Sequence, residues 1–281
     1  MEALRSLLDS LAWPEYPTTP GAQAAFIATA IVIVFGLASL LFPSNVGRFL
    51  GLESRATRPG AIGEIRVAGG FQLGLALIVL LFDQPVLYTL LGLALALAAF
   101  GRILAMMSDH AATIRNMLIL AVQAALAAAA LAHFFDTFPN PIIPAFALPD
   151  AIEPRLALYA HAALVLMGAL TMFAPRLASS LPGLASIGDG GYAALRSAGG
   201  FALVVGTFAV LFVANPDARD TPFDKLLYVN MVIVAALSLS IIGRLIALAL
   251  NRGNFIYALI ALLAELAACA AVMAYVGAIM G

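Results

Sequence analysis

Stretches of about 20 apolar residues follow one another along almost the whole chain, and they constrain the fold more than any motif does. Each is long enough to cross a hydrocarbon core about 30 Å thick, where every backbone N–H and C=O must find a partner inside the segment. Helices therefore follow from apolar length rather than from propensity. The sequence predicts spans at about 22–42, 61–82, 85–106, 112–134, 154–174, 190–213, 224–249 and 254–279. Polar breaks separate them, among them Pro43-Ser44-Asn45, Asp83-Gln84-Pro85, Ser108-Asp109-His110 and Asn251-Arg252-Gly253. Only 10% of residues are charged, against about 25% in soluble domains. The predicted class is an all-α integral membrane protein with eight transmembrane helices.

The chain also repeats itself. Arg66-Val67-Ala68-Gly69-Gly70 returns as Arg196-Ser197-Ala198-Gly199-Gly200, and Gly101-Arg102 returns as Gly243-Arg244. The spacing from Arg102 to Gln123 equals that from Arg244 to Glu265. The copies stay in register except for a short insertion between Phe212 and Leu226. Four spans in each copy is an even number, so both enter the membrane in the same direction. That predicts two parallel-repeat four-helix bundles rather than inverted repeats. The domains are then an N-terminal segment (1–21), a first membrane repeat (22–134), a linker (135–153) and a second repeat (154–281). Pro139, Pro141, Pro144 and Pro149 deny the linker a helix. In the N-terminal segment Leu4, Leu7, Leu8 and Leu11 fall at helical spacing, which predicts an interfacial amphipathic helix rather than a signal peptide.

Orientation follows from the cations. Of the 14 Lys and Arg residues, only Arg5, Arg155, Arg219 and Lys225 fall on one face, which is also rich in Asp and Glu. The arginine-rich face is expected in the cytoplasm, with both termini periplasmic and the protein in a bacterial inner membrane. A net charge of −1 and the lack of a basic block argue against a nucleic-acid partner. The single Cys269 cannot form an internal disulfide or a thiolate cluster.

Two residue sets stand out. Gly69, Gly70 and Gly74, with Gly199, Gly200 and Gly206, are small residues at helix-contact spacing and read as packing positions. Ionisable residues in the spans are costly and mark either an ion-pair framework or a site. Arg66 and Arg196 begin their spans, while Arg102 and Arg244 lie roughly 6–9 Å inside, at 1.5 Å per residue. Each arginine alone can snorkel to the interface. Glu64 accompanies the first set, and Glu265 falls near the midplane of the last span, where it must be protonated or paired. Gln123 stands where the first half lacks that acid, and Ala194 where the second half lacks Glu64. Two non-equivalent clusters are expected, each with more arginine than acid, which a carboxylate or phosphate could balance.

The run Glu64-Ile65-Arg66 with Gly69-Gly70, then Gly101-Arg102 and an acid one helix later, resembles the DUF4345-type, DoxX-like four-helix membrane proteins of bacteria. On that pattern Glu64, Arg66, Gly69, Gly70, Gly101, Arg102 and Asp109 match in the first half, and Arg196, Gly199, Gly200, Gly243, Arg244 and Glu265 in the second. Gln123, Ala194 and Asn251 depart from it. The resemblance implies a fused tandem of two such units and brings no established reaction.

The sequence carries no nucleophile elbow, phosphate loop, dinucleotide fingerprint or zinc-binding helix, so no catalytic, cofactor or metal residue is assigned. The leading expectation is a non-enzymatic membrane protein that binds or moves a small anionic molecule or lipid headgroup near the cytoplasmic leaflet. The alternative is a non-catalytic accessory or scaffold subunit that docks a membrane-protein partner or a second copy of itself.

Overall fold

The computed structural model describes residues 15–52, 60–137, 147–180, 189–214, 223–250 and 255–280. The N-terminal amphipathic segment and most of the proline-rich linker lie outside them. Among the described residues there is no strand, and eight helices are long and apolar enough to cross a bilayer. They are α1 (Pro20–Leu41), α3 (Gly60–Phe82), α4 (Pro85–Ser108), α5 (Ile114–Thr137), α6 (Ile152–Phe173), α8 (Asp189–Val213), α9 (Phe223–Ala249) and α10 (Phe255–Met280). Each matches an expected span to within a few residues. Two short helices, α2 (Pro43–Leu50) and α7 (Pro175–Ser180), follow α1 and α6.

Those two short helices occupy positions that the sequence reading left as breaks. Their entries are twins. Phe42 closes α1 at φ −120°, ψ 50° and donates to Ala38 O, and Ala174 closes α6 at φ −123°, ψ 58° and donates to Leu170 O. Pro43 and Pro175 then open the next helix, where a missing N–H costs nothing. The narrow break between α4 and α5 is made by His110, which turns the chain at φ 53°. Helix α5 continues to Thr137, past the expected start of the linker.

The packing joins the two halves of the chain. Helix α1 lies on α3 and on α5, and α4 lies on α5; likewise α6 lies on α8 and on α10, and α9 lies on α10. Within each half, however, the second and third spans scarcely meet. Instead α3 packs on α9 and α4 packs on α8, so two of the three broadest seams cross from one half to the other. Following the contacts gives a closed ring of eight helices: α1, α3, α9, α10, α6, α8, α4, α5 and back to α1. One apolar core runs through it, with Leu75, Leu91, Val205 and Ile233 all buried. Helices α5 and α10 are the least buried spans and present apolar side chains such as Leu118, Val122, Ile256 and Leu263 outward.

The paired glycines explain how the seams close. A methyl group on Gly69 or Gly199 would strike the neighbour in its own half, at Gly36 O (2.9 Å) or Gly168 O (2.8 Å). A methyl group on Gly70 or Gly200 would strike the other half, at Leu239 O (2.1 Å) or Leu97 O (2.4 Å). The first glycine of each pair thus serves one seam and the second serves the other. Gly74 continues the crossing at Ala235, whereas Gly206 faces Val165 within its own half.

Candidate functional site

A cavity of about 700 Å³ lies mainly in the first half. Its walls come from α1 to α5 and from the start of α8, and they are overwhelmingly apolar. The polar side chains on the wall are Ser39, Glu64, Gln72, Arg102, Arg115, Gln123 and Ser197. All but Ser197, which belongs to the second half, come from the first half.

The arginines around this level are held inward. Arg102 is 2% exposed, Arg244 4% and Arg196 9%, so snorkelling does not describe them. Arg244 reaches from α9 to two acids. Its Nη2 donates to Glu265 Oε1 at 2.7 Å, its Nε to Glu265 Oε2 at 3.1 Å, and its Nη1 to Glu64 Oε1 at 3.1 Å. Ser240 also donates to Glu265, at 3.4 Å. The near-midplane acid is therefore paired, through the planar fork that suits guanidinium to carboxylate. Arg196 donates Nε to Asp109 at 2.7 Å, Nη1 to Met172 O at 2.7 Å and Nη2 to Ser108 Oγ at 3.1 Å. Arg66 makes the counterpart of the Met172 bond, donating to Leu40 O at 2.9 Å.

Arg102 differs from these. Its Nε donates to Gln123 Oε1 at 2.8 Å and its Nη1 to Asn116 Oδ1 at 2.9 Å, both neutral amides on α5. Gln123 passes its own amide hydrogen to Ser197 Oγ at 2.8 Å, and Asn116 passes one to Ala111 O. Among the described residues Arg102 has no carboxylate partner, and its Nη2 makes no hydrogen bond. Desolvating a guanidinium is expensive, and two neutral acceptors offset less of that cost than a carboxylate does.

The expected clusters are thus regrouped. The sequence groups Glu64 with Arg66 and Arg102, whereas in the structure it binds Arg244; Asp109 binds Arg196 of the second half. Charge is also shared differently. Arg244 has two acids and Arg102 none, whereas each cluster was expected to carry surplus arginine. Asn116 and Ser197 were missed. Asn116 had a signal, since it lies seven residues before Gln123 and so on the same face of α5. Ser197 had none, because only the crossing of α8 onto α4 brings it near.

The remaining polar residues lie apart from the cavity. His161 Nε2 and Asn230 Oδ1 pair across α6 and α9 at 3.1 Å, and His133 packs edge-on against Tyr88. Cys269 lies 3.7 Å from Ser238 Oγ. No family model, no curated protein and no solved structure matches the chain.

Proposed function

We propose that this membrane protein binds an anionic amphiphile, with its charged head at Arg102 and its apolar part in the cavity of the first half. One observation carries the reading: a buried arginine with no carboxylate partner among the described residues lines a mainly apolar cavity of about 700 Å³, a size within the roughly 300–1,000 Å³ of small-molecule sites. Lipid tails are as apolar as the cavity wall, so transfer of a chain from bilayer to protein is close to neutral. Selectivity then falls to the head, which neutralises Arg102 and gives it charge-assisted hydrogen bonds.

Binding is favoured over passage across the membrane. Gln72 and Gln123 line the cavity, but His161 and Asn230 pair with each other elsewhere and do not extend a polar path. On the positive-inside pattern the site belongs to the cytoplasmic leaflet of a bacterial inner membrane. The tandem origin of the fold is supported by the matched helix closures at Phe42 and Ala174.

Native mass spectrometry of the detergent-extracted chain tests the reading. The wild type is expected to carry a bound anionic lipid or small anion, and Arg102→Gln to lose it while remaining folded. Equal occupancy in both proteins, or no adduct in either after incubation with anionic amphiphiles, overturns it.

A further inference from the structure

Arg102 and Arg244 are repeat counterparts, so the second half shows what the first half lacks. Two acids hold Arg244, Glu265 from the following span and Glu64 from across the seam. The counterparts of those acids around Arg102 are Gln123 and Ala194. Gln123 gives a single neutral oxygen, its nitrogen being turned to Ser197. Ala194 gives nothing, and it lies on the cavity wall. The cavity therefore stands beside the copy of the arginine whose two carboxylates are absent.

We infer that the ligand at Arg102 is a long-chain carboxylate, one per chain, whose head supplies the negative charge that Glu64 and Glu265 supply to Arg244. This rests on the reading that the cavity binds an anionic amphiphile, and it names the head. Gln123 and Asn116 already hold Nε and Nη1, so the head meets Arg102 at Nη2, which donates to one carboxylate oxygen. A single negative charge neutralises Arg102. A phosphate monoester carries about −1.5 to −2, which would leave excess charge in a cavity that Glu64 also lines. From Arg102 to Leu95 along α4 the wall runs roughly 10 Å at 1.5 Å per residue, which seats the head-proximal part of the chain and leaves the rest to the lipid. Ile31, Leu118 and Val122 belong both to that wall and to the exposed apolar surface of α1 and α5, so the ligand enters from the lipid.

The test uses the full chain in mild detergent with three probes of equal length: palmitate, hexadecyl phosphate and hexadecanol. Palmitate is expected to bind one per chain, about tenfold or more tighter than hexadecanol, with that preference lost in Arg102→Gln. Gln123→Glu rebuilds the internal carboxylate and is expected to exclude palmitate without lowering the melting temperature. Should that variant misfold, Ala194→Glu places an acid at the counterpart of Glu64 and is expected to exclude palmitate likewise. Preference for hexadecyl phosphate over palmitate overturns the carboxylate and leaves the amphiphile site standing. If neither anion binds better than hexadecanol, the site itself falls. Undiminished palmitate binding by a folded Gln123→Glu or Ala194→Glu protein also overturns the inference.

Discussion

Arg102 and Arg244 share a motif and a depth, yet the same substitution in each has unequal expected effects. Arg244→Gln leaves Glu64 and Glu265 facing one another without their cation. Breaking a buried pair in this way costs about 3–5 kcal/mol, which a thermal or denaturant unfolding curve in detergent reads directly. Arg102→Gln strands no carboxylate but leaves the amide oxygens of Gln123 and Asn116 short of a donor, so it is expected to cost about 1–3 kcal/mol, less than Arg244→Gln, with its main loss in ligand binding. Equal destabilisation by both variants would show that the arginines act alike as framework. The identical spacing of Arg102 to Gln123 and of Arg244 to Glu265 made the local partner of each arginine legible in the sequence. The second partner of Arg244 was not legible, because Glu64 is 180 residues away and only a tertiary seam joins them. Spacing along a helix reports neighbours one or two turns off, and it is silent on what the next helix presents.

At the scale of the elements, apolar length made the eight spans legible, and the glycine pairs marked which faces pack. What the pairs could not say is which helix each glycine admits. Gly70 and Gly200 touch carbonyl groups of the opposite half, and backbone cannot move aside as a side-chain tip can. Gly70→Ala and Gly200→Ala are therefore each expected to lose about 1–3 kcal/mol of stability, the usual cost of overpacking. Gly277 supplies the control, since a methyl group there meets nothing within 4 Å. Gly277→Ala is expected to melt at or slightly above wild type, in keeping with alanine's better helix propensity. If all three variants melt alike, the crossings at Gly70 and Gly200 do not set the seam. The short helices α2 and α7 escaped the sequence reading for a plain reason: at 8 and 6 residues they are too short for apolar periodicity to separate them from a break.

For the whole molecule, the repeat predicts two units, and the packing makes each depend on the other. Helix α3 has its broad partner in α9 and α4 has its own in α8, so neither half buries its inner spans alone. The polar contacts follow the same seams: Glu64 to Arg244, Asp109 to Arg196, and Gln123 to Ser197. A half on its own would leave Gly70, Gly74 and Gly101 facing lipid and Arg244 short of one acid. In a bilayer there is little hydrophobic drive between helices, so close backbone packing and buried polar bonds hold the seams. Cutting the chain should therefore not separate the halves. With a protease site introduced within residues 138–146, the cleaved halves are expected to co-purify through a tag on either one in mild detergent. Arg244→Gln combined with Gly70→Ala removes a polar bond and a close crossing from the same seam, and the cleaved double variant is expected to dissociate. If the cleaved wild-type halves part freely, each stands as its own bundle, and the ring of contacts through α3–α9 and α4–α8 does not hold the molecule together.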